Sequence, residues 1–220
     1  MVSEREMIIL VHGLYLRGWC MRPLAKRLRR AGYDTLLFSY PSVRRAPLDN
    51  ARALAEVVQT LTTVVVHFVA HSLGGIVVRH LFERFPGLPP GRVVTLGTPH
   101  RGSHTAHTLR TRGLGCLLGR SIEQGLLDES PPWPAGWELG SLAGTLNIGL
   151  GRLVGDMPGP ADGTVAVAET RLAGMADHIC LPVSHTGMLL APTVAAQVCA
   201  FLATGHFQRP LDSEWGWQCD

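Results

Sequence analysis

Ser72 lies in Ala70–His71–Ser72–Leu73–Gly74–Gly75, directly behind the β-branched run Thr63–Ala70 and directly ahead of a helical run, Leu73–Phe85. A serine hydroxyl is a poor nucleophile until its surroundings activate it. A sharp strand-to-helix turn lifts the hydroxyl above the sheet and places the next backbone N–H where an oxyanion would form. Such a turn needs small residues two positions before and two after the serine. Ala70 and Gly74 meet that need, with alanine where glycine is usual, and Gly75 lets the helix pack close to the sheet. The plainer reading, a serine that only caps its helix, is weaker given the context on both sides.

A nucleophile of this kind needs a base within reach and an acid that orients the base. Most of the ten histidines have other places. His12 and His71 belong to turn motifs, His67 is mid-strand, and His178 opens the last strand at its wrong end. His100, His104 and His107 precede any plausible acid loop, and His206 lies past the closing helix. His185, in Val183–Ser184–His185–Thr186–Gly187 between the last strand and the last helix, is the candidate base. Asp162, in Pro160–Ala161–Asp162–Gly163–Thr164–Val165, is the candidate acid, with Asp156 as its competitor. The Asp–Gly turn and the apolar restart at Val165 favour Asp162.

The first strand ends in Val11–His12–Gly13–Leu14. A loop there can supply a second oxyanion donor beside the Leu73 amide. Gly13 would let the backbone come close to a substrate. The donor is expected at the Leu14 amide, with the Tyr15 amide as the alternative.

These groups need a scaffold, and the chain outlines one. Strands are expected at Met7–Val11, Thr35–Ser39, Thr63–Ala70 and Arg92–Leu96, with helices at Arg22–Ala31, Leu48–Leu61 and Leu73–Phe85 between them. Strict alternation of strand and helix implies a parallel sheet with helices on both faces. From Arg101 to about residue 142 the pattern becomes irregular, with Gly, Pro131, Pro132, Trp133 and Pro134, as expected of a lid-like insertion. Ala143–Leu150 reads as a fifth strand, Val165–Ala168 as a short extended piece and His178–Val183 as the last strand. Thr193–Ala203 closes the body as a helix. The tail holds Trp215 and Trp217 without periodicity. The 220 residues therefore read as one domain of the α/β class, with a mostly parallel sheet of about six strands.

Composition excludes several classes. With 17% charged and 46% hydrophobic residues the chain is neither disordered nor short of core material. No basic stripe interleaves with aromatics, so nucleic acid is not an expected partner. The basic cluster Lys26, Arg27, Arg29, Arg30 reads as a solvated face at a helix C-terminus. The five cysteines lack a CxxC pair and are odd in number, which fits neither a metal cluster nor a disulfide framework. No metal ligand set and no cofactor are expected. No run suits a signal peptide or a transmembrane span, so a cytoplasmic protein is expected unless a leader has been removed.

At Val11–Leu14, Ala70–Gly75, Leu96–Gly97–Thr98–Pro99–His100–Arg101–Gly102–Ser103, Asp162–Val165 and Ser184–Gly187 the sequence resembles small bacterial lipases and esterases of the α/β-hydrolase superfamily. It is also similar to the lipase-like domain related to the inositol deacylase of GPI anchors. The resemblance implies a Ser72, Asp162, His185 triad and an oxyanion hole from Leu14 and Leu73. It implies that Thr98–Ser103 shapes the acyl pocket, and His12, Gly13, Tyr15, His71, Thr98 and Pro99 are assigned to that pocket. The expected activity is hydrolysis of carboxylic esters, of small-molecule or lipid type, through an acyl-enzyme. A thioesterase, amidase or acyltransferase on the same scaffold is the alternative, and a non-catalytic hydrolase-like binding protein is another.

Overall fold

A computed structural model describes residues 6–127, 130–149 and 157–209. Its six strands form one sheet, every neighbouring pair parallel, in the order β2-β1-β3-β4-β5-β6. The strands are β1 (Met7–Val11), β2 (Asp34–Phe38), β3 (Val66–His71), β4 (Val93–Leu96), β5 (Leu139–Gly144) and β6 (Asp177–Leu181). The α-helices among the described residues are α1 (Arg22–Arg30), α2 (Pro47–Gln59), α3 (Leu73–Arg84), α4 (His104–Thr111) and α5 (Pro192–Thr204).

The apolar runs form strands because helices cover both faces of the sheet. On one face Leu24 and Leu28 of α1 meet Val194, Val198 and Phe201 of α5 over Ile8, Leu10, Val94 and Ile179. On the other, Leu54 and Val58 of α2 and Val77 and Leu81 of α3 cover Ile9, Phe68 and Val93. A strand buried on both sides has no polar face, which is why β1 and β3 read as continuous apolar runs. In a parallel sheet every strand ends at the same edge, and the loops leaving β1, β3, β4, β5 and β6 there carry the candidate residues.

The fifth strand begins four residues earlier than expected, at Leu139, inside the stretch read as insertion. It was hard to see because Leu139–Gly–Ser–Leu–Ala–Gly144 is made of small residues with poor strand propensity. Tertiary packing demands them. A methyl group on Gly140 would lie 2.7 Å from the Phe201 ring, and one on Gly144 would lie 2.7 Å from the Asp162 Cβ. The irregular stretch carries α4, whose first turn is capped by Ser103 Oγ accepting from the Ala106 N–H at 3.2 Å, and a 3-10 segment over Gly115–Ile122. Val165–Ala168 is not extended throughout, because a 3-10 turn spans Val167–Thr170. Cys20, Cys116 and Cys199 are free thiols and Cys180 is disulfide-bonded, which corrects the expectation from the cysteine spacing. Asp156, Trp215 and Trp217 lie outside the described residues.

Candidate active site

β3 runs straight into α3, and Ser72 makes the whole turn with φ 53° and ψ −124°. That conformation is costly for a residue with a side chain. It is held from three sides: the Ser72 N–H donates to Leu96 O at 2.9 Å, and Ser72 O accepts from the Gly75 N–H at 3.0 Å and from Thr98 Oγ1 at 2.9 Å. A methyl group on Gly74 would meet His12 O at 2.7 Å, so α3 starts hard against the end of β1. Leu73 is the first residue of α3 and its amide has no intrahelical acceptor.

The candidate acid and base are prearranged. His185 Nδ1 lies 2.7 Å from Asp162 Oδ2, with both side chains almost fully buried. The other carboxylate oxygen, Oδ1, accepts from the Thr164 N–H at 2.9 Å and the Val165 N–H at 2.8 Å. The Asp162 carbonyl in turn accepts from the His185 N–H at 2.9 Å, so the two loops are tied through backbone as well as side chain. A methyl group on Gly97 would lie 2.8 Å from Asp162 Oδ2 and 3.0 Å from His185 Nδ1, which places the end of β4 directly under the pair.

His71, the residue before Ser72, packs against His185. Its ring centroid is 4.6 Å from that of His185, and its Nε2–H donates to the His185 carbonyl at 2.9 Å. Burial, and then the neighbouring His185, push the His71 pKa down to about 3, so its ring is neutral. A methyl group on Gly13 would fall 2.9 Å from His71 Nδ1 and 3.0 Å from Ser72 Cβ, so the loop after β1 abuts the serine. Ser72, Asp162, His185, Gly13 and His71 therefore share one edge of the sheet.

The two amides considered as second oxyanion donor are in different states. The Tyr15 N–H is taken by Ser42 Oγ at 3.1 Å. The Leu14 N–H has no acceptor among the described residues. Tyr15 has φ 60°, its ring is exposed, and its hydroxyl donates to Leu117 O. His12, His71, Thr98 and Pro99 are buried.

Three residues escaped the sequence reading. Tyr40 stacks on His12 with centroids 4.2 Å apart, donates its hydroxyl to His12 O at 2.6 Å and its N–H to His12 Nε2 at 3.2 Å. His12 Nδ1–H then donates to Gly13 O at 2.9 Å, so the loop after β1 is braced from β2. The parallel register, with Val11 opposite Phe38, was the signal that could have found it. Glu169 accepts from the Ala166 N–H at 2.8 Å and the His104 N–H at 2.5 Å, tying the segment after Asp162 to the start of α4. Burial raises the Glu169 pKa. Arg79 on α3 donates to His100 O at 2.7 Å, to Ser130 O at 2.9 Å and to Pro131 O. Burial lowers its pKa to about 10. Neither contact is visible from spacing, because the partners are backbone groups far along the chain.

Among the described residues no group of three or more His, Cys, Asp and Glu side chains could hold a metal ion. The arrangement is suited to acyl transfer: a strained serine, a histidine braced by a carboxylate, and at one edge the Leu14 and Leu73 amides, neither with an acceptor among the described residues.

Solved structures share this architecture. The mature Bacillus licheniformis lipase BlEst2 superposes with a TM-score of 0.72 at 21% identity, over 92% of this chain and 93% of that one. The metagenomic carboxyl esterase MGS0156 gives 0.64 at 24% identity, over 84% of this chain and 66% of that one. The RedJ thioesterase of the Streptomyces coelicolor prodiginine pathway gives 0.61 at 14% identity, over 93% and 91%. The fold is thus that of the α/β-hydrolases. No curated protein matches the sequence. A family model described as a domain of unknown function, DUF7379, matches residues 2–122, more than half of the chain, and the chain belongs to that family.

Proposed function

We propose that this protein is a serine hydrolase that cleaves carboxylic esters through an acyl-enzyme. The observation that carries the reading is the His185 Nδ1–Asp162 Oδ2 contact of 2.7 Å beside a serine held at φ 53°. Ser72 Oγ attacks the ester carbonyl carbon while His185 Nε2 takes the hydroxyl proton. The carbonyl oxygen becomes an oxyanion held by the Leu14 and Leu73 amides. His185 returns the proton to the leaving alcohol as the carbon–oxygen bond breaks, leaving the acyl group on Ser72. Water, deprotonated by His185, then releases the acid and restores the serine. Asp162 stays ionised throughout and stabilises the imidazolium.

Ester hydrolysis is placed ahead of thioester or amide cleavage because neighbours at 21% and 24% identity are named lipase and carboxyl esterase, against 14% for the thioesterase. The thioesterase among them keeps the thioester reading in the test. The experiment is turnover of p-nitrophenyl acyl esters, an acyl thioester and an anilide by the wild type and by Ser72→Ala. Ester turnover that vanishes in a folded Ser72→Ala variant is the expected result. A chain that neither turns over any substrate nor is labelled at Ser72 by a fluorophosphonate is a binding protein instead, and the proposal fails.

A further inference from the structure

Six of the 20 Lys and Arg residues fall between Arg17 and Arg30, with no Asp or Glu among them. Without those six, the chain holds 14 basic and 17 acidic side chains, a net charge of −3 against +3 for the whole. The entire positive excess is therefore concentrated on α1 and the turn before it. Several arginines elsewhere are paired, as in Arg52–Asp49, Arg120–Glu123, Arg92–Glu138 and Arg209–Asp177, whereas Arg44, Arg45, Arg101, Arg110 and Arg112 are exposed without an ion pair to a described residue but are spread over separate segments. Arg17, Arg22, Lys26 and Arg30 form no ion pair with any described residue.

A solvated helix end accounts for only part of this cluster. Arg27, Arg29 and Arg30 lie in the last turn of α1, where the helix dipole favours cations. Arg22 is the first residue of α1, where the dipole opposes a cation and no acidic residue compensates. Arg22, Lys26 and Arg30 are spaced four apart on the exposed face. With Pro23 and Arg27 they line a depression of about 430 Å³.

Large exposed apolar side chains precede α1 and α5. Trp19, one turn before α1, is 61% exposed, and Leu190, just before α5, is 58% exposed. The two helices pack side by side, Leu24 and Leu28 against Val194 and Val198, and both start at the edge where the strands end. Trp19, Leu190 and the exposed Tyr15 thus crown the same edge as Ser72 and His185. We infer that this face docks on an anionic lipid bilayer, with Arg22, Lys26 and Arg30 on lipid phosphates and Trp19 and Leu190 among the headgroups.

Basic residues draw a protein to an anionic membrane, and an aromatic ring with a polar tip settles at the interface. A nucleic acid would engage the cations but leave the Leu190 side chain in water. No described helix is long and apolar enough to cross a membrane, so the contact is peripheral. The consequence for catalysis rests on the ester-hydrolase reading: docking would turn the serine toward the lipid. The binding itself does not rest on it.

The test is co-sedimentation of the full chain with vesicles of phosphatidylcholine alone and of phosphatidylcholine mixed with phosphatidylglycerol, at low and high salt. Binding to the mixed vesicles, weakened by salt, is expected, with a loss of about tenfold or more in Arg22→Glu/Lys26→Glu/Arg30→Glu. Circular dichroism and thermal melting of that variant control for folding, and Arg22→Gln/Lys26→Gln replaces it if it does not fold. Trp19→Ser is expected to weaken binding without removing its salt dependence. Ser72→Ala is expected to bind as the wild type does, so an absent esterase activity leaves this result intact. Absence of vesicle binding, equal binding to neutral vesicles, undiminished binding of the charge variants, or retention of a DNA duplex without vesicle binding overturns the inference.

Discussion

His71 Nε2 lies 2.9 Å from the carbonyl oxygen of His185, so the residue before the candidate nucleophile holds the backbone of the candidate base. The bond is buried, and the His71 ring is neutral because burial pushes its pKa down to about 3. His71→Ala leaves the His185 carbonyl without a donor and opens space beside its ring. A loss of about 1–3 kcal/mol in stability is expected from the orphaned carbonyl. Steady-state kinetics on the folded fraction should show kcat down roughly 10- to 100-fold with KM little changed. A kcat within twofold of wild type would remove His71 from any positioning role.

Asp162→Asn offers a sharper test of the base. The two N–H groups of Thr164 and Val165 point at Oδ1, so an asparagine must present its oxygen there and its NH2 to His185 Nδ1. A donor facing Nδ1 forces the proton to Nε2, the wrong tautomer for accepting from Ser72. Activity should fall by about 10⁴-fold with the backbone turn retained. Circular dichroism together with ester turnover checks both halves, and retained turnover would shift the acid role away from Asp162.

Gly97→Ala probes the floor beneath the pair. The new methyl group would sit 2.8 Å from Asp162 Oδ2 and 3.0 Å from His185 Nδ1, at a residue with φ 56°. The strained backbone is expected to cost about 1 kcal/mol or more. Activity should fall further than stability, because the displaced groups are the proposed acid and base. Thermal melting beside kcat/KM measures the split; a loss of stability with unchanged kcat/KM would contradict the geometry.

Stability should decline on acidification below neutrality. His12, His67, His71, His80, His100 and His178 all have pKa values below the ordinary 6.5, chiefly through burial, with His178 at about 4. A histidine whose folded pKa is depressed binds its proton more readily when unfolded. Its contribution is complete above 6.5 and is lost as pH falls toward the folded value. Glu169, raised by burial, works in the opposite direction, but it is one group against six. Melting temperatures from pH 7.5 down to the His178 value of about 4 should fall steadily. A flat profile would mean that these rings are solvated in the folded protein.

Much of the fold was legible in the chain. Buried parallel strands leave continuous apolar runs, so β1, β3 and β4 appeared within a few residues of their observed ends, and the strand–helix alternation implied the sheet. The strand β5 was displaced because its small residues answer to Phe201 and to Asp162, both distant in sequence. Ser72 was marked by its small neighbours, which a tight turn requires whatever surrounds it. His185 and Asp162 could be named only from chain order, since nothing local distinguishes an acid-loop Asp–Gly from an ordinary turn.

The sequence by itself determined the strands, the covering helices and the serine turn, because these follow from local periodicity and steric need. Tertiary structure alone decided what the loops at the strand ends do to one another. It brought His185 Nδ1 to 2.7 Å from Asp162, turned the Tyr15 amide to Ser42 and left the Leu14 amide without a described acceptor. It also set Tyr40, Glu169 and Arg79 on backbone groups remote in the chain. Such contacts use carbonyl and amide groups common to every residue, so side-chain identity carries no record of them until the chain has folded.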